Sequence, residues 1–377
     1  MAKEILNMTF AHDSDAKEIV NTLTGLVAAR SRKEWGAKFI DCSEMDDREY
    51  KENNEKTKKA MIAFACNKAG LPLCKSEEDM LMAKDNVVFR SVLNSIITQT
   101  LTSLTLRYMN PLINEFADME TVPAGASKTY EIDSRALAVA QKANYTSNVT
   151  IVPTHAKSGI TIKPQMYSLG ASLDFIRLLV NDYDWAYDVA KVYAGFVFAK
   201  YKACVDLVYS TNVLAGTPFY QATFALATYQ QLADDVALFS GASTGDVVAL
   251  GTRTAFNTIT GIATNGGFMT KDEYIRGTYL KEIAGVPSIV VDQFTDGSMP
   301  VNSANIGSLR AIPNDIIVLV ARGRDKIVKL VQESYIRAIE TDAHENNLNR
   351  MEYSFFQAFG AGIATSSFFG VQNTANA

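Results

Sequence analysis

Histidine and cysteine are scarce in this sequence, which has three His and four Cys among its 377 residues. Cys42, Cys66, Cys74 and Cys204 form no C-x-x-C pair, and no spacing of Cys and His is typical of a zinc site. We therefore expect free thiols in a reducing compartment. We expect no metal and no cofactor.

Long apolar runs and an excess of basic residues are also missing. The longest apolar stretches are interrupted by Lys200, Lys202 or Arg322, and the N-terminal stretch holds an acid at Glu4. We therefore expect neither a membrane span nor a secretory signal. A formal net charge of -5 argues against a protein that coats nucleic acid, because phosphate binding needs clustered Lys and Arg.

No local motif for catalysis or nucleotide binding is present. His12, His155 and His344 are far apart, so a Ser–His–acid or Cys–His pair could form only through folding. GAGIAT, residues 360–365, lacks the third glycine of a dinucleotide loop, and we interpret it as a turn or bulge packed against backbone. SGASTGD, residues 240–246, lacks the Gly-Lys-Ser/Thr of a phosphate loop and is interpreted as the loop after a helix.

One stretch is typical of the entrance to an enzyme site. In YIRGTYLKEIAGVPSIVVDQF, residues 274–294, an apolar strand ends at Asp292, where α/β enzymes place catalytic carboxylates. General acid–base catalysis needs a partner with a displaced pKa, and the sequence names none. An α/β enzyme that uses Asp292 stays open as the lesser alternative, and the main prediction is that the protein is not an enzyme.

The first part of the chain is charged and helical. Residues 1–90 carry 31 of the 77 Asp, Glu, Lys and Arg residues. The segment DDREYKENNEKTKKAMIAFACNKAG begins polar, becomes helical and stops at Gly70, with Pro72 just beyond. A further helical pattern covers residues 86–109 and ends before Pro111.

Two extended segments follow. TSNVTIVP, residues 146–153, and SGITIKPQMYSLG, residues 158–170, alternate apolar and polar residues and predict two strands. Pro153 and Pro164 place these strands at an edge or a bulge. Two long strands cannot form a core of their own, so the hairpin must lie on something else, such as another subunit.

A long helix is predicted from Asn181 to Ser210. Its apolar stripe has the spacing of one helix face, which favours a long helix laid across a sheet over a cofactor site. About 28 helical residues would reach roughly 42 Å. The stripe consists of Trp185, Val189, Val192, Phe196, Ala199 and Ala203.

The remaining chain reads first as an α/β unit. A helix from about Ala222 to Leu238 precedes short strands around Val247, Ile289 and Ile317. After Arg324 the pattern returns to strands and turns.

Taken in order, these parts resemble the major capsid proteins of tailed bacteriophages, which have the HK97-like fold. The strongest local likeness lies in ALGTRTAFNTI and in YIRGTYLKEIAGVPSIVVDQF, where a Gly-Val-Pro turn leads into an apolar strand. PNDIIVLVARG, residues 313–323, is similar to a later strand of the same axial domain. The resemblance covers residues 86–377 by order of elements.

The resemblance implies an α+β fold with an N-terminal arm, an extended β-hairpin loop, a peripheral domain with a long spine helix, and an axial α/β domain. The segments are 1–85 as an arm or elaborated helical region, 86–118 as a helix leading into the peripheral domain, 119–170 as the extended loop, 171–216 as the peripheral domain, 217–323 as the axial domain and 324–377 as a C-terminal return to the peripheral domain.

The function implied is a subunit that assembles through pentamers and hexamers into an icosahedral shell around double-stranded DNA. The expected partners are further copies of the chain, with portal, scaffolding and decoration proteins as additional candidates, and the expected location is the virion after assembly in the host cytoplasm. An encapsulin-like compartment shares the fold and is the first alternative. The candidates for polar contacts between subunits are Lys157, Lys163, Asp174 and Arg177.

Overall fold

The structure is a computed structural model that describes residues 14–108, 110–132, 158–173, 183–209, 214, 216–259, 282–291, 293, 310, 312–341, 351–364 and 367–374. Within these residues the protein is a mixture of helices and sheets, as the α+β prediction requires. Among the described residues, no helix combines the length and the hydropathy of a membrane span.

The N-terminal part folds into helices whose ends are set by capping residues. Asp46 accepts a hydrogen bond from the backbone N–H of Arg48 at the start of the second helix. That helix ends at Gly70, which adopts the left-handed conformation that glycine tolerates, as the sequence predicted. The helices are α1 (Ser14–Trp35), α2 (Asp47–Ala69), α3 (Glu77–Lys84), α4 (Val87–Arg107) and α5 (Pro111–Phe116).

The long predicted helix is α6, Trp185–Tyr209, slightly shorter than the expected span. Its start is fixed by Asp184, whose carboxylate accepts a hydrogen bond of 3.1 Å from the backbone N–H of Tyr187. Its apolar stripe is largely buried, and the helix lies across two strands of a sheet, Val328–Glu333 and Met351–Ile363.

The N-terminal helices cover a second side of α6 and share its core. Polar contacts hold them to its start, since the Tyr50 hydroxyl donates to Asp184 at 2.5 Å and Arg30 Nε lies 3.3 Å from the same carboxylate. The buried ammonium of Lys58 donates to the carbonyl of Tyr183 at 3.0 Å. These helices are therefore part of the folded body and not an arm detached from it.

Among the described residues, the first sheet has five strands, with β1-β10-β12-β11 in order and β4 paired with β12. Strands β1 and β10 run parallel, and the other pairs are antiparallel. The strands are β1 (Ala117–Val122), β4 (Gln165–Leu173), β10 (Val328–Glu333), β11 (Arg337–Thr341) and β12 (Met351–Ile363).

In the described part of the chain, the second sheet has six strands in the order β5-β13-β9-β6-β8-β7. Helix α7 (Leu226–Ser240) lies against it, and the short helix α8 (Arg253–Thr258) follows β6. The strands are β5 (Tyr220–Gln221), β6 (Val247–Gly251), β7 (Glu282–Ile283), β8 (Val286–Val290), β9 (Ile316–Ala321) and β13 (Phe369–Asn373).

The last strand departs from the predicted division of the chain. The whole of 324–377 was expected to return to the peripheral domain, but β13 pairs with β5 and β9 in the second sheet. The first four residues of β13 are buried, which suits a position between two other strands of a sheet. Of the strands described in that segment, β10, β11 and β12 lie in the first sheet.

The interpretation of GAGIAT as a turn or bulge is wrong in part, because residues 360–363 continue the strand β12. The predicted packing against backbone is present at Gly360, where the backbone of Lys163 approaches the strand closely. A Cβ added at Gly360 would lie 2.9 Å from the carbonyl oxygen of Lys163, whereas one added at Gly362 would meet only the Ile162 side chain, at 3.0 Å.

Gly360→Ala should therefore destabilise the protein by about 1–3 kcal/mol, because the added methyl group overlaps backbone that cannot rotate away. Gly362→Ala is the matched control and should cost less, since the flexible end of Ile162 can move. Chemical denaturation of both variants measures the difference. Equal losses would show that the contact with Lys163 does not limit residue 360.

Lys200 is a buried cation in the middle of α6. Its side chain is 2% exposed, and its ammonium donates to Gln332 Oε1 at 2.7 Å. Among the described residues it forms no ion pair, and burial lowers the pKa of Lys200 to about 7. The fold therefore carries the cost of burying this charge at and below neutral pH.

Lys200→Met should stabilise the protein more at pH 6 than at pH 9. At pH 6 the lysine is charged in both folded and unfolded chains, so its burial cost is fully present. Between pH 7 and about 10 only the unfolded chain binds the proton, so the free energy of unfolding of the unsubstituted protein rises with pH. Thermal unfolding across this range measures the effect, with Lys202→Met, an exposed position on the same helix, as control. If Lys200→Met raises the free energy of unfolding by the same amount at every pH, burial of the lysine charge is not the cause.

Candidate functional site

A two-stranded hairpin stands out from the first sheet. Strands β2 (Lys128–Ile132) and β3 (Ser158–Ile162) pair antiparallel, and the hydroxyls of Thr129 and Thr161 lie 2.9 Å apart across them. The chain enters β2 from β1 and leaves β3 into β4, so both ends of the hairpin are held by the first sheet. The expected loop, 119–170, thus includes residues of β1 and β4 at its ends. The predicted strand 146–153 lies outside the described residues, and the predicted strand 158–170 is divided into β3 and the start of β4.

A small apolar cluster seats the hairpin on the sheet. Ile162 of β3 is buried with Val122 and Val331, and Tyr130 of β2 packs against them. Next to it, the carboxylate of Glu333 accepts a hydrogen bond of 2.8 Å from the backbone N–H of Gly125. Both contacts lie at the base of the hairpin, where they fix its position on the first sheet.

An ion network surrounds that cluster. Lys329 on β10 is 7% exposed and donates to Asp118 on β1 at 2.5 Å and also to Asp325. Burial acts to lower the pKa of Lys329, but its two carboxylate partners outweigh burial and raise that pKa. For Asp118, burial acts to raise the pKa, yet the hydrogen bond and charge of Lys329 lower it overall. The network therefore favours its charged form.

Glu120 extends the network onto the hairpin. Its carboxylate accepts hydrogen bonds of 2.7 Å from Lys128 and 2.7 Å from the Tyr130 hydroxyl, both on β2. These bonds lower the pKa of Glu120, with the bond from Lys128 as the largest cause. Burial and the bond to Glu120 raise the pKa of Tyr130 above its usual value. The hairpin is thus joined to β1 by groups that stay charged or hydrogen-bonded at neutral pH.

Exposed apolar side chains lie on β4 and on β3, the strand that precedes it in the chain. Strand β4 pairs with β12 on one side, and among the described residues no strand pairs with its other edge. Met166 is 63% exposed, Tyr167 is 41% exposed and Ile160 of β3 is 37% exposed. Tyr167 stacks on Phe359 with ring centroids 4.0 Å apart, which holds it in place. An unpaired strand edge with exposed apolar side chains is a surface for pairing with another chain.

A second exposed apolar cluster lies on the other sheet. Phe219, Phe239 and Phe368 contact one another with ring centroids 5.0–5.5 Å apart. Phe239 is 50% exposed and the neighbouring Leu238 is 72% exposed at the end of α7. The molecule therefore presents apolar surface at both sheets.

The predicted contact residues have different outcomes. Lys163 is described and is exposed, next to Pro164 at the turn between β3 and β4. Lys157, Asp174, Arg177 and the alternative catalytic Asp292 lie outside the described residues. Their roles stay predictions.

The network of Asp118, Glu120, Lys128 and Lys329 was missed by sequence reasoning. Asp118 and Lys329 are 211 residues apart and meet only because β1 and β10 pair in parallel. The second carboxylate bound by Lys329, that of Asp325, lies four residues before it, a spacing that carries no signal outside a helix. No pattern in the sequence could have joined the two strands.

Within the part of the chain that the structure describes, no group of three or more His, Cys, Asp or Glu residues could hold a metal ion. The pronounced features are instead a seated hairpin, an unpaired strand edge and exposed apolar clusters. Such features suit contacts between protein chains.

Lys329→Met should lower the free energy of unfolding by about 1–2 kcal/mol at pH 7, because it leaves two carboxylates without their shared donor. The carboxylates are partly exposed, which limits the loss. The loss should shrink as pH falls through the lowered pKa of Asp118, since the protonated acid no longer needs the cation.

Denaturant unfolding at pH 7 and in acid measures this loss. Lys326→Met is the control, because Lys326 is more exposed and lies 3.5 Å from Asp118. It should have the smaller effect. A loss for Lys329→Met that is the same in acid as at pH 7 would contradict the role of the ion pair.

Comparison with known families identifies the class of protein. A family model for capsid proteins matches residues 36–373, which is most of the chain. The chain belongs to this family, described as "SPbeta prophage-derived putative capsid protein YonB". It is accordingly a capsid protein, as the resemblance predicted. No curated protein matches the chain in sequence.

Solved structures of capsids and of an encapsulin are also similar to the chain. The capsid of an empty GTA particle is 14% identical with a TM-score of 0.44, covering 70% of this chain and 89% of that one. The mature capsid of bacteriophage PhiM1 is 10% identical with a TM-score of 0.44, covering 68% and 85%. The holo-SrpI encapsulin of Synechococcus elongatus is 12% identical with a TM-score of 0.38, covering 70% and 86%. At these scores the family match carries the assignment.

Proposed function

We propose that this capsid protein assembles through rings of five and six copies into a closed icosahedral shell around double-stranded DNA. The observation that carries the proposal is the hairpin rooted beside an unpaired strand edge with exposed apolar side chains. A free edge of this kind invites pairing, and a capsid subunit uses such surfaces for its neighbours. Identical subunits repeated about a closed symmetry axis make heterologous contacts that complete a ring.

The hairpin contributes to assembly by lying over a neighbouring subunit. Two strands alone do not form a stable unit in water, and the described apolar contacts of this hairpin are at its base. A neighbour supplies the remaining surface. Each contact can be modest, because a shell adds many weak contacts together.

Polar contacts between subunits complement the apolar ones. Lys163 is exposed beside β4. We propose that it meets an acid of a neighbour. Lys157, Asp174 and Arg177 are proposed for the same role from the sequence alone. Such rim charges affect the rate and register of association more than its strength.

The charge of the chain suits a container for DNA. A net charge of -5 gives the shell little affinity for phosphate, so DNA is enclosed without sequence-specific binding. Portal, scaffolding and decoration proteins are further proposed partners. Assembly in the host cytoplasm fits a chain whose four cysteines are free.

Met166→Asp tests the proposed contact surface. The full chain is expressed alone, and its mass distribution is measured by sedimentation velocity with negative-stain images of the fast fraction. The unsubstituted chain should form rings or shells. The variant should stay as small species, because a buried carboxylate without a partner opposes association, while its circular dichroism and Tm stay unchanged.

Met82→Asp is the matched control, since Met82 is a methionine 77% exposed on α3. It should assemble normally. If both chains assemble alike, the edge of β4 is not the contact surface. Once shells form, their contents distinguish a viral capsid from an encapsulin-like compartment. Cargo protein bound to the inner wall indicates the compartment, and DNA enclosed in phage-derived particles indicates the viral capsid. If the unsubstituted chain remains a monomer even when a scaffolding protein is co-expressed, the proposed shell assembly is contradicted.

A further inference from the structure

Two buried thiols meet at the end of helix α2. The Sγ atoms of Cys66 and Cys74 lie 3.3 Å apart, and both residues are nearly inaccessible, at 2% and 6% exposure. The other cysteines, Cys42 and Cys204, take no part in this contact. The two sulfur atoms need to approach each other by little more than one ångström to reach bonding distance, which a rotation of the side chains can supply.

The end of α2 creates this proximity. Cys66 lies in its last turn, and the left-handed Gly70 reverses the chain so that the N–H of Leu71 donates to the carbonyl of Cys66 at 2.9 Å. The extended segment that follows returns Cys74 to the side of the helix. Ser76 and Asp79 then form a capping box at the start of α3, which holds the segment at its far end. Backbone geometry, not chance side-chain placement, therefore brings the thiols together.

We propose that Cys66 and Cys74 are a disulfide site, reduced in the assembling chain and closed by oxidation afterwards. The oxidant is a small-molecule disulfide. One thiol loses its proton and attacks a sulfur of the oxidant, releasing one small thiol and leaving a mixed disulfide. The second thiolate then attacks the protein sulfur of that mixed disulfide, so the Cys66–Cys74 bond forms and a second small thiol leaves.

Burial of the two thiols makes the disulfide slow to form and shields it from solvent once it has formed. Burial raises the pKa of Cys74 to about 12, with the neighbouring Cys66 adding to the rise, so little thiolate exists at neutral pH. Access comes through Cys74, because its segment lies outside any helix or strand and Leu73 beside it is 49% exposed. Local opening of such a segment costs less than global unfolding.

The use of this site rests on the proposed shell function. A subunit that assembles in a reducing cytoplasm meets an oxidising medium once the particle leaves the cell. Closing the bond then ties the end of α2 to the segment that leads into α3. Because α2 packs in the same core as α6, the bond restrains the helical part of every subunit after assembly.

The test uses the full chain with Cys42→Ser and Cys204→Ser, which leaves only the pair. The chain is incubated with oxidised glutathione and digested with trypsin without reductant. Cleavage at Lys59, Lys68 and Lys75 places the two thiols in separate peptides, 60–68 and 69–75. The expected product is these peptides joined and lighter by two hydrogens, with the Tm of the intact chain raised by roughly 2–4 °C and restored by dithiothreitol.

Adding Cys66→Ser to the same background is the control and should abolish both the joined peptides and the rise in Tm. The proposal is overturned if the folded chain keeps both thiols, or if it ends with glutathione adducts in place of the internal bond. It is equally overturned if the bond forms only in denaturant. The readout does not depend on assembly, so a chain that closes the disulfide but forms no shell would refute the shell function alone.

Discussion

The structure depends on the burial of helix α6 between two layers. Fifteen of its residues are buried, from Trp185 to Tyr209, because the N-terminal helices cover one side and the first sheet the other. Burying apolar area on both sides of one helix contributes more to folding than any single polar contact in the chain. The segment 14–107 is therefore needed to complete the core, and its polar anchors at Tyr183 and Asp184 set where it docks.

A single shared core of this kind suits a subunit that must present the same surfaces to every neighbour. The core around α6 continues to strands of both sheets, including Val248, Val318 and Val371. Among the described residues, the hairpin is attached to the folded body where apolar packing and an ion network coincide. Lys329 illustrates how the attachment works, because a single ammonium ties β1 to the turn before β10. The body is thus defined by its core, and the surfaces left exposed at its strand edge and aromatic clusters are available to other chains.

Much of the local architecture could be predicted from sequence. The stripe from Trp185 repeats at the spacing of one helix face, and Gly70 ends its helix as expected. The predicted strands near Val247, Ile289 and Ile317 are present. The family resemblance is confirmed by the capsid family model. Predictions failed where pairing partners are distant: GAGIAT continues a strand, and Phe369–Asn373 joins the second sheet.

The amino-acid sequence by itself determined the helices, most strands, the α+β class and the capsid resemblance, because these follow from periodicity, capping and turn residues within short windows. Only the tertiary structure decided which strands pair, which charges meet and which thiols touch. Asp118 finds Lys329 through the register of β1 with β10, and Gly360 faces Lys163 through the fit of the hairpin root on β12. Such contacts depend on the closure of long loops, whose partners leave no local pattern in the chain.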